Sequence, residues 1–505
     1  MEFGKSSLIY SVCSFVSKVI TFVRDIFIAA FLGTGITSDI FFLALKIPAS
    51  FERSVSGQTF NSAYIPIFLR LNSLEEEKEK YDFAKNLLKI ICLFFIPFVV
   101  LIVIFMPMVI RIIAPGITKE EDFALLVQIS RIIFPYLFFI ASSSVFVGTL
   151  NANNRFASSA LLPVFLNITL IIFIFFSPNF RGYELVFISW GVLAGGFLQL
   201  FFLFFSVESR FWKNFLSATA NANTKKFFSL FWPTFAAATL IQINLIVSLM
   251  IASFEESAVS YIYFAERVYY IPITLAAIAI STVLIPNLTN SVKSESYEQA
   301  IDLQSKAFKY MLIIILPLGA FIFSTSDEIV SLLYERGEFD AISANATSDV
   351  LKLFLLGLPA VAGAIILTPY FFALQRPKIP LRISIITVSL NLVLTILLFK
   401  LMGFLGIPLA FSISAWINTI LLYSEHRKLN FFKLNKNLIV HSVKYILFSL
   451  ALVLMLPSLT NFLEELSLNS FPKTLIIFLV FVMLFSIFVY FFDKKTYSEI
   501  SKELF

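Results

Sequence analysis

Long apolar runs separated by short polar connectors follow one another along the whole chain. A membrane-crossing helix needs about 20 mostly apolar residues. By that measure the pattern predicts about fourteen spans: Ser6–Leu32, Asp39–Leu69, Lys85–Ile113, Phe123–Leu150, Ala157–Phe176, Leu185–Val207, Phe227–Phe254, Ala258–Asn290, Ala307–Leu333, Ala346–Leu374, Pro380–Lys400, Phe404–Tyr423, Leu438–Leu456 and Pro472–Phe492. The longest connectors, Asn72–Asp82, Glu208–Lys226 and Ser424–Asn437, are too short for a soluble domain. Prolines inside the runs, among them Pro48, Pro107, Pro272 and Pro317, predict kinks. The expected fold class is all-α, a polytopic membrane protein.

The runs repeat weakly. Ala44-Leu45-Lys46 matches Ala265-Glu266-Arg267, Pro115-Gly116 matches Arg336-Gly337, and Asn154-Arg155 matches Gln375-Arg376, each at an offset of 221 residues. One offset across three landmarks predicts two similar six-helix lobes, residues 1–220 and 221–430, with a central cavity. Residues 431–505 then add two further spans outside the repeat.

Composition agrees with the pattern: 59% of residues are hydrophobic and 14% charged, against about 25% charged in soluble domains. The first apolar run is too long for a cleavable signal sequence and reads as a first span. Lysine and arginine concentrate in alternate connectors, from Arg70, Lys78 and Lys80 through Arg376 and Lys378 to Arg427 and Lys428. This bias predicts both termini on the cytoplasmic side. The net charge of +6 is then a topology signal and a contact with anionic lipid heads, not a sign of nucleic-acid binding. Cys13 and Cys92 lie inside spans and suggest no disulfide. The isolated His426 and His441 suggest no metal site.

The stretch from Phe22 to Pro66 departs from this economy of charge. It carries Arg24, Asp25, Asp39, Lys46, Glu52 and Arg53 between apolar flanks. Each charge at the bilayer centre costs about 2.5–3.5 kcal/mol, so these side chains are expected to face one another or a wet cavity. Arg24 and Asp25 stand about 100° apart on a helix and are expected to take different partners. Asp39 is placed to reach an arginine on a neighbouring helix. Lys46 and Arg53, seven residues apart, share a helix face. Arg267, beside Glu266 in the eighth span, occupies the repeat position of Lys46. Arginine grips phosphate with two parallel donors and keeps its charge when buried. The set points to a pocket for a phosphate-bearing substrate. The structural alternative is a group of ion pairs: Arg24 with Asp39, Arg53 with Glu52 or Asp25, and Arg267 with Glu266. Arg131, near the start of the fourth span, reads as structural.

No nucleophile motif, phosphate loop or carboxylate–histidine set accompanies these charges. The chain is expected not to be an enzyme, to need no cofactor, and to draw on the membrane potential or a monovalent-cation gradient.

Several motifs resemble the MurJ (MviN) lipid II flippase family of the multidrug/oligosaccharidyl-lipid/polysaccharide exporter superfamily. They are Ser17-Lys18, Arg24-Asp25, Gly33-Thr34-Gly35, Ser38-Asp39, Lys46-Ile47-Pro48, Arg53 and Ala63-Tyr64-Ile65-Pro66. Further along come Arg155-Phe156-Ala157 with Pro163 and Asn167, Tyr263 to Arg267, Thr282 to Pro286, and Leu333 to Asp340. The resemblance covers nearly the whole chain. It implies export of an undecaprenyl-pyrophosphate-linked peptidoglycan precursor across the bacterial inner membrane by alternating access, in company with membrane lipids and the cell-wall synthesis machinery. It implies that Arg24, Arg53 and Arg267, with Lys46 and Lys18, meet the substrate. Asp25, Asp39, Glu52 and Glu266 would form the supporting charge network, and the last two spans a groove for the lipid tail. The chain departs from the family in having Lys18 for an arginine, Glu52-Arg53 for a pair of arginines, and Ser56-Gly57-Gln58-Thr59 where a glutamate is usual. The seventh, eleventh and twelfth spans lack Asp and Glu, so an ion site there would have to use Asn244, Asn391 and Thr395. An exporter of another lipid-linked oligosaccharide, of O-antigen type, is the alternative. A drug exporter would need acidic residues facing the cavity, and a glycosyltransferase would need a catalytic carboxylate and larger outer loops.

Overall fold

Lipid offers no partner to a backbone N–H or C=O, so an apolar run can cross it only as a helix or a closed barrel. In the computed structural model each of the fourteen runs is helical among the described residues, which are 2–55, 57–73, 77–212, 222–429, 436–466 and 470–493. Ser56, the expected lobe boundary near residue 220, and the tail lysines Lys494, Lys495 and Lys502 lie outside them. Nine described helical segments are long and apolar enough to cross a membrane, ten if the bent pair Ala341–Leu355 and Leu358–Ala373 is one span. The chain is an all-α polytopic membrane protein. It divides into two compact units, Met1–Ser260 and Tyr261–Phe505.

The first unit begins with α1 (Glu2–Leu32), α2 (Ile36–Val55), α3 (Gly57–Ser73), α4 (Glu77–Ile104), α5 (Met106–Ile113), α6 (Glu120–Ile133) and α7 (Tyr136–Ala152). It continues with α8 (Phe156–Ala160), α9 (Leu162–Phe176), α10 (Glu184–Ser206), α11 (Ser209–Trp212) and α12 (Ala222–Ala252). Proline sets several breaks. Pro107 has no N–H for the carbonyl of Val103, and α4 gives way to α5 at Phe105. Aromatic rings fill the core. Tyr64 stacks on Phe60, Phe68 and Phe83 with centroids 5.3, 5.6 and 5.3 Å away, and its hydroxyl lies 2.6 Å from that of Thr149. Gly116 lies against the backbone of Ser253, where an added Cβ would come within 2.2 Å of the carbonyl oxygen.

The second unit holds most of α13 (Ala258–Pro272), a π-helical segment (Ile273–Ile278), α14 (Ala279–Lys293), α15 (Tyr297–Ser324) and α16 (Ser326–Tyr334). It goes on through α17 (Ala341–Leu355), α18 (Leu358–Ala373), α19 (Lys378–Met402), α20 (Gly406–Lys428), α21 (Lys436–Glu465) and α22 (Ser470–Phe492). The motif Tyr334 to Asp340 is a folding device. Tyr334 and Phe339 close on Phe264 with centroids 5.0 and 5.3 Å away. Gly337 takes a positive φ of 61°. Asp340 caps α17 by accepting from Ser343 N at 2.8 Å, and the hydroxyl and N–H of Ser343 hold its carboxyl below the usual range.

The last two helices are fastened to each other at both ends. Asp493 meets His441 at 2.9 Å and accepts from the Tyr445 hydroxyl at 3.0 Å. At the other end Lys473 donates to Glu464 at 2.6 Å and reaches Glu328 of α16 at 3.3 Å. α21 also packs along α15. His426 serves the core: its Nε2 lies 2.9 Å from the Leu367 carbonyl, beside the Phe371 ring.

The α19–α20 hairpin depends on close backbone approach. A Cβ at Gly406 would fall 2.3 Å from the Leu398 carbonyl carbon and 2.4 Å from its oxygen. Backbone cannot swing aside as a side chain can, and overpacking of this kind costs about 1–3 kcal/mol. Gly406→Ala is therefore expected to lower the thermal stability of the detergent-solubilised protein. An unchanged melting temperature would show that the hairpin opens to admit the methyl group.

Candidate functional site

The charged residues of the first unit do not pair as charge complementarity alone suggests. Arg24 and Asp25 are 5% and 1% exposed on α1. They bond to each other, correcting the expectation that neighbours 100° apart must take different partners. The long arginine side chain curls across that angle, and Nε and Nη2 donate to Asp25 Oδ1 at 3.1 and 2.5 Å. Nη1 donates to Asn167 Oδ1 on α9 at 2.8 Å. The Asn167 amide then donates to Thr21 Oγ1 at 2.6 Å, and Thr21 to the Ser17 carbonyl at 2.8 Å. A guanidinium, a carboxylate and an amide from two packed helices thus form one buried polar cluster.

Asp39 is held by a serine rather than an arginine. Its Oδ1 accepts from Ser260 N at 2.8 Å and from the Ser260 hydroxyl. Ser260 is the third residue of α13, where backbone N–H groups have no intrahelical acceptor, and Ser257 turns the chain into that helix with a φ of 68°. Asp39 therefore caps α13 from α2, a favourable place for a carboxylate at a helix N-terminus. The two residues stand 221 apart in sequence, the same offset that separates the three pairs of sequence landmarks.

Arg267 lies two turns further along α13. Its Nη2 donates to the Tyr263 hydroxyl at 2.7 Å, and the guanidinium sits 4.5 Å from that ring's centroid. This holds the arginine by its own helix, with Glu266 half-buried beside it. Lys46 and Glu52 are half-buried on α2 and Lys18 is exposed on α1. The side chains of Arg53 and Gln58 lie outside the described residues. Asn391 and Thr395 are buried with Thr387 on one face of α19. Asn244 is half-buried on α12, in the other unit. Among the described residues no group of three His, Cys, Asp or Glu is placed to hold a metal.

The polar partners were the residues hardest to foresee as site members. Asn167, the one amide in the apolar sequence of α9, is signalled by its isolation in a span and by its place in the motif after Arg155. Tyr263 is signalled only as the start of the motif that ends at Arg267, and Ser260 carries no signal until its partner is known.

Helices throughout the described residues, nine of them long and apolar enough to cross a membrane, define a polytopic membrane protein. The model of one family, described as lipid II flippase MurJ, matches residues 28–481, and the chain belongs to that family. A relative from Rickettsia prowazekii (strain Madrid E), named "Probable lipid II flippase MurJ", is 32% identical over 430 residues, covering 85% of this chain and 84% of that one. A solved structure described as "Lipid II flippase MurJ, inward closed conformation" superposes with a TM-score of 0.82 over 97% of this chain and 99% of that one, at 25% identity. An inward-facing multidrug transporter of the MATE family, with a TM-score of 0.66 and 12% identity over 82% of this chain and 94% of that one, shares the fold alone.

Proposed function

We propose that this protein moves lipid II, the undecaprenyl-pyrophosphate-linked precursor of peptidoglycan, from the cytoplasmic to the outer leaflet of the bacterial inner membrane. It works by alternating access with both termini cytoplasmic, and it makes and breaks no covalent bond. The family match over residues 28–481 supports the substrate. The observation that carries the site is the buried Arg24, a guanidinium kept in a membrane span at a cost of several kcal/mol and already aimed by Asp25 and Asn167.

Arg24, Arg53 and Arg267 are the residues that grip the pyrophosphate, with Lys46 and Lys18 adding positive charge along the route. Asp25 holds Arg24 until phosphate oxygens replace the carboxylate, so the arginine is never left bare in a low-dielectric site. Arg267 waits on the Tyr263 ring and hydroxyl in the same way. The membrane potential, or a monovalent cation held by polar groups such as Asn244, Asn391 and Thr395, drives the cycle. The last two helices form a groove for the prenyl tail, and the cell-wall synthesis machinery is the partner that consumes the product.

The test is complementation of a bacterium depleted of its own lipid II flippase. The wild-type chain is expected to restore growth and Arg267→Ala to fail at equal membrane abundance. Good expression of the wild type without rescue would refute lipid II as the substrate and favour another lipid-linked oligosaccharide.

A further inference from the structure

A groove of about 500 Å³ opens between α5, α6 and α10, and it shares no lining residue with the charge cluster of α1. Its walls are apolar, formed by Pro107, Val127, Ile132 and the half-exposed Trp190, and its polar pair is Gln128 and Arg131. The structural duty of Arg131 is clear. Its Nε donates to the Val103 carbonyl at 3.0 Å, replacing the N–H that Pro107 lacks. That bond uses one donor of five. The two terminal amines have no hydrogen-bond or ion-pair partner among the described residues, and the side chain is exposed. Close by, the Arg111 guanidinium lies 5.7 Å from the ring of Phe123, another wall of the groove. Glu120, Glu121 and Asp122 begin α6 more than two turns from Arg131, and none of them is among the described lining residues.

Arg131 lies within Glu120–Ala152, a segment long and apolar enough to cross a membrane, where an exposed guanidinium is costly and an anion beside it offsets that cost. We infer that this groove binds an anionic phospholipid of the surrounding membrane, with its phosphate on the Arg131 amines and an acyl chain along the apolar wall. The planar fork of arginine fits two phosphate oxygens. Trp190, a residue type favoured at the membrane–water boundary, offers its indole N–H at headgroup level. The bound lipid would wedge α6 against α5 where α4 is broken. The inference is independent of which lipid the protein transports.

Trp190 is itself the probe. The chain has four tryptophans; with Trp212, Trp232 and Trp416 changed to phenylalanine, selectively excited tryptophan emission comes from the groove alone. In bilayers, brominated phosphatidylglycerol is expected to quench Trp190 well beyond brominated phosphatidylcholine at the same mole fraction. Arg131→Gln, which keeps a donor for the Val103 carbonyl, is expected to remove that preference, a loss of about tenfold in apparent lipid affinity. Val186→Phe leaves the arginine in place and fills the groove, so it is expected to reduce quenching by both lipids, whatever Arg131→Gln does to folding. Equal quenching by the two lipids, or a preference that survives Arg131→Gln, would overturn the assignment. So would displacement of the phosphatidylglycerol by substoichiometric undecaprenyl pyrophosphate, which would give the groove to the carrier lipid.

Discussion

Arg24→Ala is expected to abolish lipid II transport, read as failed rescue of a flippase-depleted strain, while the protein still reaches the membrane. The difficulty is to separate loss of a ligand from loss of a buried ion pair. Removing the guanidinium leaves Asp25, 1% exposed, without the cation 2.5 Å away, and breaking a buried pair in this way costs about 3–5 kcal/mol. Asp25→Asn combined with Arg24→Ala removes the stranded charge. If Arg24 only balanced Asp25, the neutral double variant should recover both abundance and transport. If Arg24 grips pyrophosphate, abundance recovers and transport does not. Arg24→Lys refines the result: it keeps the charge but cannot reach Asp25 and Asn167 together as a planar fork does, so it is expected to retain a small fraction of activity.

Asp39→Ala is the second large effect, and it should appear in stability first. The substitution removes the acceptor shared by the N–H and hydroxyl of Ser260, a residue that is 0% exposed. Two buried donors left unsatisfied cost about 1–3 kcal/mol each, concentrated at the first turn of the helix that carries Arg267. Asp39→Asn keeps an acceptor oxygen in the same position and loses the charge. Thermal unfolding in detergent is therefore expected to fall sharply for Asp39→Ala and little for Asp39→Asn, with transport following the same order. Equal damage from both would mean that the negative charge, not the cap, is what the protein needs.

The architecture was readable in the sequence because lipid leaves the chain so few choices: an apolar run of twenty residues between polar connectors can hardly be anything but a helix. The residues of interest were readable for the same reason, since Arg24, Asp25, Asp39 and Arg267 are out of place in such runs. Their partners were not. Pairing by charge joined Asp39 to an arginine, yet the helix start at Ala258 presents N–H groups without an intrahelical acceptor, and Asp39 takes that of Ser260. Counting 100° per residue separated Arg24 from Asp25, yet rotation about the side-chain bonds of arginine closes that gap. Asn167 lies 143 residues from Arg24, and only the packing of α9 on α1 brings them together. Local pattern determines which residues must be neutralised; tertiary packing determines by whom.

The π-helical segment at Ile273–Ile278 has a consequence of a different kind. A π turn is an α-helix that has taken up one residue more than its ladder needs. Each α-helical residue turns the helix by about 100°, so the surplus rotates everything after Ile278 relative to Arg267 by about that much. Counting in sevens from Arg267 into α14 therefore names the wrong face. Side chains on α14 are presented about a quarter-turn away from where an unbroken α-helix running on from Arg267 would place them.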